Sequence, residues 1–215
     1  MPTTITIKAD TLLTLLQAHI VTASSDTTRE HLNGVCASMT SLYLTLVSTD
    51  GHRLLESRCS EHTECVGEIR DAIMPLRAVL AMVATLKAAK KAKFATCDLS
   101  FDSPANRWML DVGGNSASYA GTDRSVQFPP YSKVIPPRDR EQCAEKGGKP
   151  LPPLASIGIN AEYMKDLTRV FPARSKNGET PVRMAWGGAL DPMRFDCETP
   201  SMCLAQVYVV MPMRA

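Results

Sequence analysis

Residues 34–58, GVCASMTSLYLTLVSTDGHRLLESR, decide the fold. They divide into three runs rich in β-branched and apolar residues: Gly34 to Met39, Leu42 to Ser48 and Arg53 to Arg58. The pair Asp50-Gly51 between the last two is a turn signal, so the stretch predicts successive antiparallel strands. Immediately upstream, SSDTTRE (24–30) is polar and turn-prone. Before it, Leu12, Leu13, Leu15, Leu16 and Ile20 fall on one helical stripe, with Asp10 placed to cap that helix. Ile5 to Ile7 form a short strand ahead of it. The order is one strand, one helix, three strands.

The same order recurs downstream. From Glu68 a strand-like stretch ends at Pro75, a good first helical residue, and Leu76, Val79, Leu80, Val83 and Leu86 keep helical spacing. Strands are then expected at Phe94 to Asp102, Arg107 to Val112 and Ser116 to Ala120. A third pass begins with a strand at Ser156 to Ile159, then Asn160 as cap for a helix carrying Tyr163, Met164, Leu167, Val170 and Phe171. Its strands are Val182 to Trp186, Met193 to Cys197 and Gln206 to Val210. Between the second and third passes, PPRDREQCAEKGGKPLPP (136–153) has no periodicity and is the natural linker.

Composition sets bounds on function. The 215 residues are 44% hydrophobic and 21% charged, enough for a sizeable core. The 24 Lys+Arg and 22 Asp+Glu leave a net charge of only +2, so any contact with nucleic acid must come from local clusters of cations. Seven cysteines, at 36, 59, 65, 97, 143, 197 and 203, show no metal-ligand spacing and read as reduced thiols. No stretch approaches the roughly 20 apolar residues of a membrane span, and the N-terminus lacks a signal-peptide pattern. A cytoplasmic protein without metal or cofactor is expected.

Two motifs and a supporting segment identify a family resemblance. Arg29-Glu30-His31-Leu32-Asn33-Gly34-Val35, followed by Ser48-Thr49-Asp50-Gly51-His52-Arg53-Leu54, resembles the middle domain of the bacterial replicative sliding clamp, the β subunit of DNA polymerase III. The terminus, Tyr208-Val209-Val210-Met211-Pro212-Met213-Arg214, is similar to that family's C-terminal signature. Phe128 to Pro136 resembles the segment leaving the middle domain. The resemblance implies an α+β DNA clamp fold, with strand-helix-three-strand half-domains, helices lining a ring and antiparallel sheets outside. It divides the chain into a complete clamp domain (1–136), a linker (137–153) and a C-terminal half-domain (154–215). Counterparts of the family's first domain and of half its last domain are missing, which suggests a shortened clamp from a phage, plasmid or other mobile element.

The resemblance also implies function: a non-enzymatic processivity factor that encircles duplex DNA without reading sequence and tethers a polymerase, and a clamp loader, by a linear peptide motif. Carried over by position, the peptide pocket comprises Leu32, Thr49, Gly51, His52, Arg53, Leu54, Pro129, Val134, Val209, Val210, Met211, Pro212, Met213 and Arg214. Apolar residues there suit Leu or Phe side chains, while His52, Arg53 and Arg214 suit carbonyls or an acidic group. Lys133, where arginine is common, and Ala215, where a larger apolar residue is usual, bear on which peptide is preferred. Expected to face DNA are Lys87, Lys90, Lys91, Lys93, Lys165, Arg169, Arg174 and Lys176, near helix C-termini where cations also complement the helix dipole. Superfamily rings contain twelve half-domains, so three per chain predicts a homotetramer on the nucleoid. The rivals are an enzyme using His52 with Asp50, or Asp191 with Asp196, and a clamp-derived decoy that binds clamp partners without enclosing DNA. The first lacks any phosphate loop, nucleophile elbow or metal-ligand spacing.

Overall fold

The computed structural model describes residues 2–136, 159–171, 181–186, 191–199 and 202–212. The first pass forms β1 (Thr3–Lys8), α1 (Ala9–Thr22), β2 (Gly34–Met39), β3 (Leu44–Thr49), β4 (Arg53–Cys59) and β5 (His62–Val66). The second forms β6 (Ile69–Pro75), α2 (Leu76–Lys91), β7 (Thr96–Asp102), β8 (Arg107–Val112) and β9 (Asn115–Ala120). The third supplies two short helices, α3 (Ala161–Lys165) and α4 (Leu167–Val170), then β10 (Arg183–Trp186), β11 (Met193–Thr199) and β12 (Leu204–Val210).

These strands make two antiparallel sheets. One has the order β5-β1-β7-β8-β9, and the other β10-β11-β12-β4-β3-β2-β6. The first two units are therefore interlocked. β1 leaves its own unit to pair with β7, and β6 leaves the second to pair with β2. Burial follows from that exchange. Ile5, Leu16, Leu46, Val79, Leu99 and Trp108 belong to one core shared by both sheets and both long helices. Phe101 stacks on Trp108 at 4.6 Å between ring centroids, and the Trp108 Nε1–H donates to the Ile73 carbonyl across the core. Gly34 is needed where β2 meets β6: a Cβ there would lie 2.5 Å from the Met74 carbonyl oxygen.

The third unit joins through β12, which pairs with β4 along its length, Leu204 opposite Cys59 and Val210 opposite Arg53. A second apolar cluster fills the helix side of this junction, including Val21 of α1, Leu55 of β4, Val170, Phe171, Phe195 and Tyr208. α1 packs against both α2 and α4, so the helices form one layer in the order α2, α1, α4.

Several expectations are corrected. Asp10 lies inside the first turn of α1, where it pairs with Lys90 at 3.2 Å, and Lys8 is the cap residue, its side chain making no capping bond. Pro75 ends β6 and caps α2, which begins at Leu76. β5 is an additional strand, half-exposed at a sheet edge, where little apolar alternation marks it. The third helix is broken at Asp166, although Asn160 does cap its start, its side chain accepting from Glu162 N–H at 3.0 Å. Ile159 is not in a strand, and residues 156–158 and the linker 137–153 lie outside the described residues.

Candidate functional site

The β3–β4 turn meets the chain's last strand at one end of the seven-stranded sheet. Asp50 shapes that turn: its Oδ1 accepts from the backbone N–H groups of His52 (2.9 Å) and Arg53 (3.0 Å), and Gly51 takes φ +95°, the left-handed region. Beyond β12, Met211 N–H donates to the His52 carbonyl at 2.9 Å, tying the descending terminus to the turn. Arg29 reaches the Asp50 carbonyl at 3.3 Å, and so draws the segment before Leu32 to the same corner.

Strand alternation separates the residues assigned to the pocket between the two sheet faces. Leu54 and Val209 sit opposite one another and share the outer face with Cys36 and Val47. The segment after the first domain lies over them, with Phe128, Tyr131 and Ile135 packed on this floor and Val134 exposed beside it. Its end is held by Arg194, whose Nη1 donates to the Pro136 carbonyl at 2.6 Å while its other nitrogens grip the buried Asp196. Val210 points to the opposite face, buried with Leu55 and Tyr208. Thr49 is buried and bonds the Arg53 carbonyl; His52, Met211 and Pro212 stand at the rim. Leu32 is buried, Pro129 is half-buried, and Met213 and Arg214 lie outside the described residues.

Arg53 is committed within the chain. Its Nε bonds Asp50 at 3.0 Å, its Nη1 bonds the buried carboxylate of Asp166, and its guanidinium lies 5.1 Å from the Tyr163 ring centroid. Burial lowers and the two carboxylates raise its pKa, with a net upward shift. Arg53 thereby links the β3–β4 turn to the third unit's helix break. Asp166 is the residue that sequence reasoning missed, since 113 positions separate the pair. Tyr208 adds a second tie, donating to the Tyr163 carbonyl at 3.1 Å, and burial drives its phenol pKa upward.

The expected cations sort by helix. Lys87, Lys90 and Lys91 are exposed toward the C-terminal end of α2, the latter two in its last turn, and Lys93 follows it with φ 63°. Lys90 is partnered by Asp10, Lys165 by Glu162, and Arg169 by Asp166 at 3.5 Å. Arg174 and Lys176 lie outside the described residues. Arg77 was not anticipated, yet 14 residues separate it from Lys91, close to four helical turns, and both are exposed on one face of α2. The acid-base alternatives do not assemble: Asp50 is consumed by its turn and Arg53, and Asp196 by Arg194. Among the described residues no cluster of three metal-ligating side chains occurs, and no helix is long and apolar enough to cross a membrane.

This architecture, with antiparallel sheets backing a helical layer and one sheet extended edge to edge through β4 and β12, is the sliding-clamp fold. The chain aligns over 99% of its length with the DNA polymerase III beta subunit of Thermotoga maritima (TM-score 0.74, 19% identity) and with pol III beta of Caulobacter crescentus (0.73, 20%). It aligns equally fully with a Bartonella birtlesii sliding clamp bound to griselimycin (0.71, 18%). It spans 65% of the first of these chains and 66% of the other two. Comparison with curated proteins finds no match. Residues 6–103 match the family of the DNA polymerase III beta subunit, central domain.

Proposed function

We propose that this chain is a sliding clamp that encloses duplex DNA and tethers a polymerase and other partners through the cleft between the β3–β4 turn and its own C-terminus. The β4–β12 junction carries the reading. It extends one sheet across a unit boundary, which is how half-domains chain into a ring, and it delivers Met211 and Pro212 to the rim over Leu54 and Val209. Buried aliphatics flanked by adaptable methionine suit an apolar peptide anchor. The domain arrangement is a complete domain at 1–136 and a half-domain at 154–215 joined by a linker, with twelve half-domains supplied by four chains.

Enclosure accounts for the weak net charge. A closed ring need not adhere, so Arg77, Lys87 and Lys91 on the helix layer suffice for sliding contacts with phosphates. The protein works in this reading without catalysis, beside the DNA in the cytoplasm. The test is retention on a nicked circular plasmid. Retention that is lost when the plasmid is linearised supports the clamp; peptide binding without any retention assigns the chain to the decoy role.

A further inference from the structure

β4, β9 and β12 are the last ladder strands of the three units. Because β1 and β6 exchange between sheets, β4 and β9 are left in equivalent places, each at the end of a swapped strand followed by a three-stranded meander. The edge of β4 is taken by β12, antiparallel, so units join last strand to last strand. Among the described residues, β9 is the one last strand still at a sheet edge.

The other edges are blunted as soluble proteins blunt them. β5 carries Glu64 and His62; β6 carries Arg70, Asp71 at φ 54° and a register shift opposite β2; β10 has four residues, one of them Arg183. β9 reads Asn-Ser-Ala-Ser-Tyr-Ala and has no charge, proline, bulge or positive φ. Its open groups can be assigned. The Gly113-Gly114 hairpin and the bond from Gly121 N–H to the Asn106 carbonyl (2.8 Å) fix the alternation, so Asn115, Ala117 and Tyr119 bond β8 while Ser116, Ser118 and Ala120 direct N–H and C=O outward.

We propose that β9 is a homotypic junction, at which two copies of this chain pair antiparallel with Ser118 opposite Ser118 of the second copy and Ser116 opposite Ala120. A second copy is the occupant because β4 and β12 of each chain satisfy one another, so another β9 is the available last strand. A two-fold axis sets every central side chain against its own kind, which small neutral residues tolerate and charges do not. The inference rests on the ring reading, and of the two ways to arrange four chains it selects a dimer of dimers over fourfold head-to-tail closure.

Two variants test it by light scattering after size exclusion. Ser118→Pro removes an outward N–H and no β8 bond, and Ser118→Ala controls for the hydroxyl that accepts from Arg107. Four-chain particles of 23.4 kDa subunits that become two-chain particles in Ser118→Pro alone support the junction. Dimers that become monomers support it too, while overturning the count of four. An unchanged mass overturns the junction and leaves the ring intact; an unmodified chain that is monomeric overturns both. Ser118→Cys is independent of any folding defect in the proline variant. Hydrogen-bonded antiparallel pairs hold Cα atoms about 5.5 Å apart, within disulfide reach, so mild oxidation should yield a covalent dimer absent from the unmodified chain. Failure to cross-link overturns the register with Ser118 at the axis.

Discussion

Replacing Arg53 by alanine removes three interactions at once: the bond to Asp50, the bond to Asp166 and the cation–π contact with Tyr163. The Asp166 side chain is only 7% exposed, and Arg169, at 3.5 Å and 65% exposed, is a poor substitute partner. Breaking a buried pair by removing one ion costs about 3–5 kcal/mol, an exposed pair about 0–1, and a cation–π contact about 0.5–1. Arg53 keeps 19% of its side chain in water, which puts the loss at the low end, about 3 kcal/mol. For a chain of this size that lowers Tm by about 6–12 °C. The assay is urea unfolding of R53A, D166A and the double variant at one fixed protein concentration, because the stability of any oligomer depends on concentration. This link predicts that the double variant costs about 2 kcal/mol less than the two single losses added together. Additive losses would refute it and return Arg53 to the peptide-contacting role that its motif suggests.

Deleting Met211 to Ala215 should weaken a clamp-motif peptide at least about thirtyfold, the effect of losing one hot spot of about 2 kcal/mol, as read by fluorescence anisotropy. Charge reversal at Arg77, Lys87 and Lys91 should reduce DNA retention and flatten its salt dependence by about 0.9 in log–log slope for each phosphate no longer neutralised, leaving peptide affinity unchanged. His19 is fully buried between Ser48 Oγ (2.7 Å) and Ser57 Oγ (3.0 Å), and burial lowers its pKa from 6.5 to about 3. Because the unfolded chain takes up that proton first, stability is undiminished above pH 6.5 and falls by about 1.4 kcal/mol per unit below it, down to about pH 3. Urea melts at pH 7 and 4.5 should therefore differ by about 3 kcal/mol more in the unmodified chain than in His19→Asn.

The meander at 34–58 was legible because both of its signals are local: β-branched runs and an Asp-Gly turn whose geometry depends on neighbouring residues. β5 was not legible, since a half-exposed edge strand of His, Thr, Glu, Cys and Val has no buried face to impose alternation. The exchange of β1 and β6 between sheets leaves no trace in periodicity, because a strand's pattern records which faces are buried and not which neighbour it pairs with. The break at Asp166 was hidden for a related reason: the apolar stripe from Tyr163 to Phe171 continues through it, while the carboxylate turns aside to Arg53. Part of the site could have been read better. Val207 and Val209 alternate with Tyr208 and Val210, so period two alone separates the cleft side from the core side.

The polar network around His19 connects these observations. Gln206 of β12 donates to Ser57 of β4 at 3.1 Å, Ser57 contacts His19 of α1, and His19 contacts Ser48 of β3, all buried. A one-residue slip of β12 against β4 would move Gln206 off Ser57, place Val207 and Val209 in the helix-side core, and turn Tyr208 outward. Two apolar faces of a strand offer little resistance to such a slip, because valine is acceptable on either side. A buried amide that finds its partner in one register alone resists it, since the slipped state leaves polar groups unsatisfied at about 1–3 kcal/mol each. The same register puts Val209 over Leu54 and brings Met211 N–H to the His52 carbonyl. The buried polar groups on the helix side of the sheet thus select the register that sets Val209 opposite Leu54 on the other face.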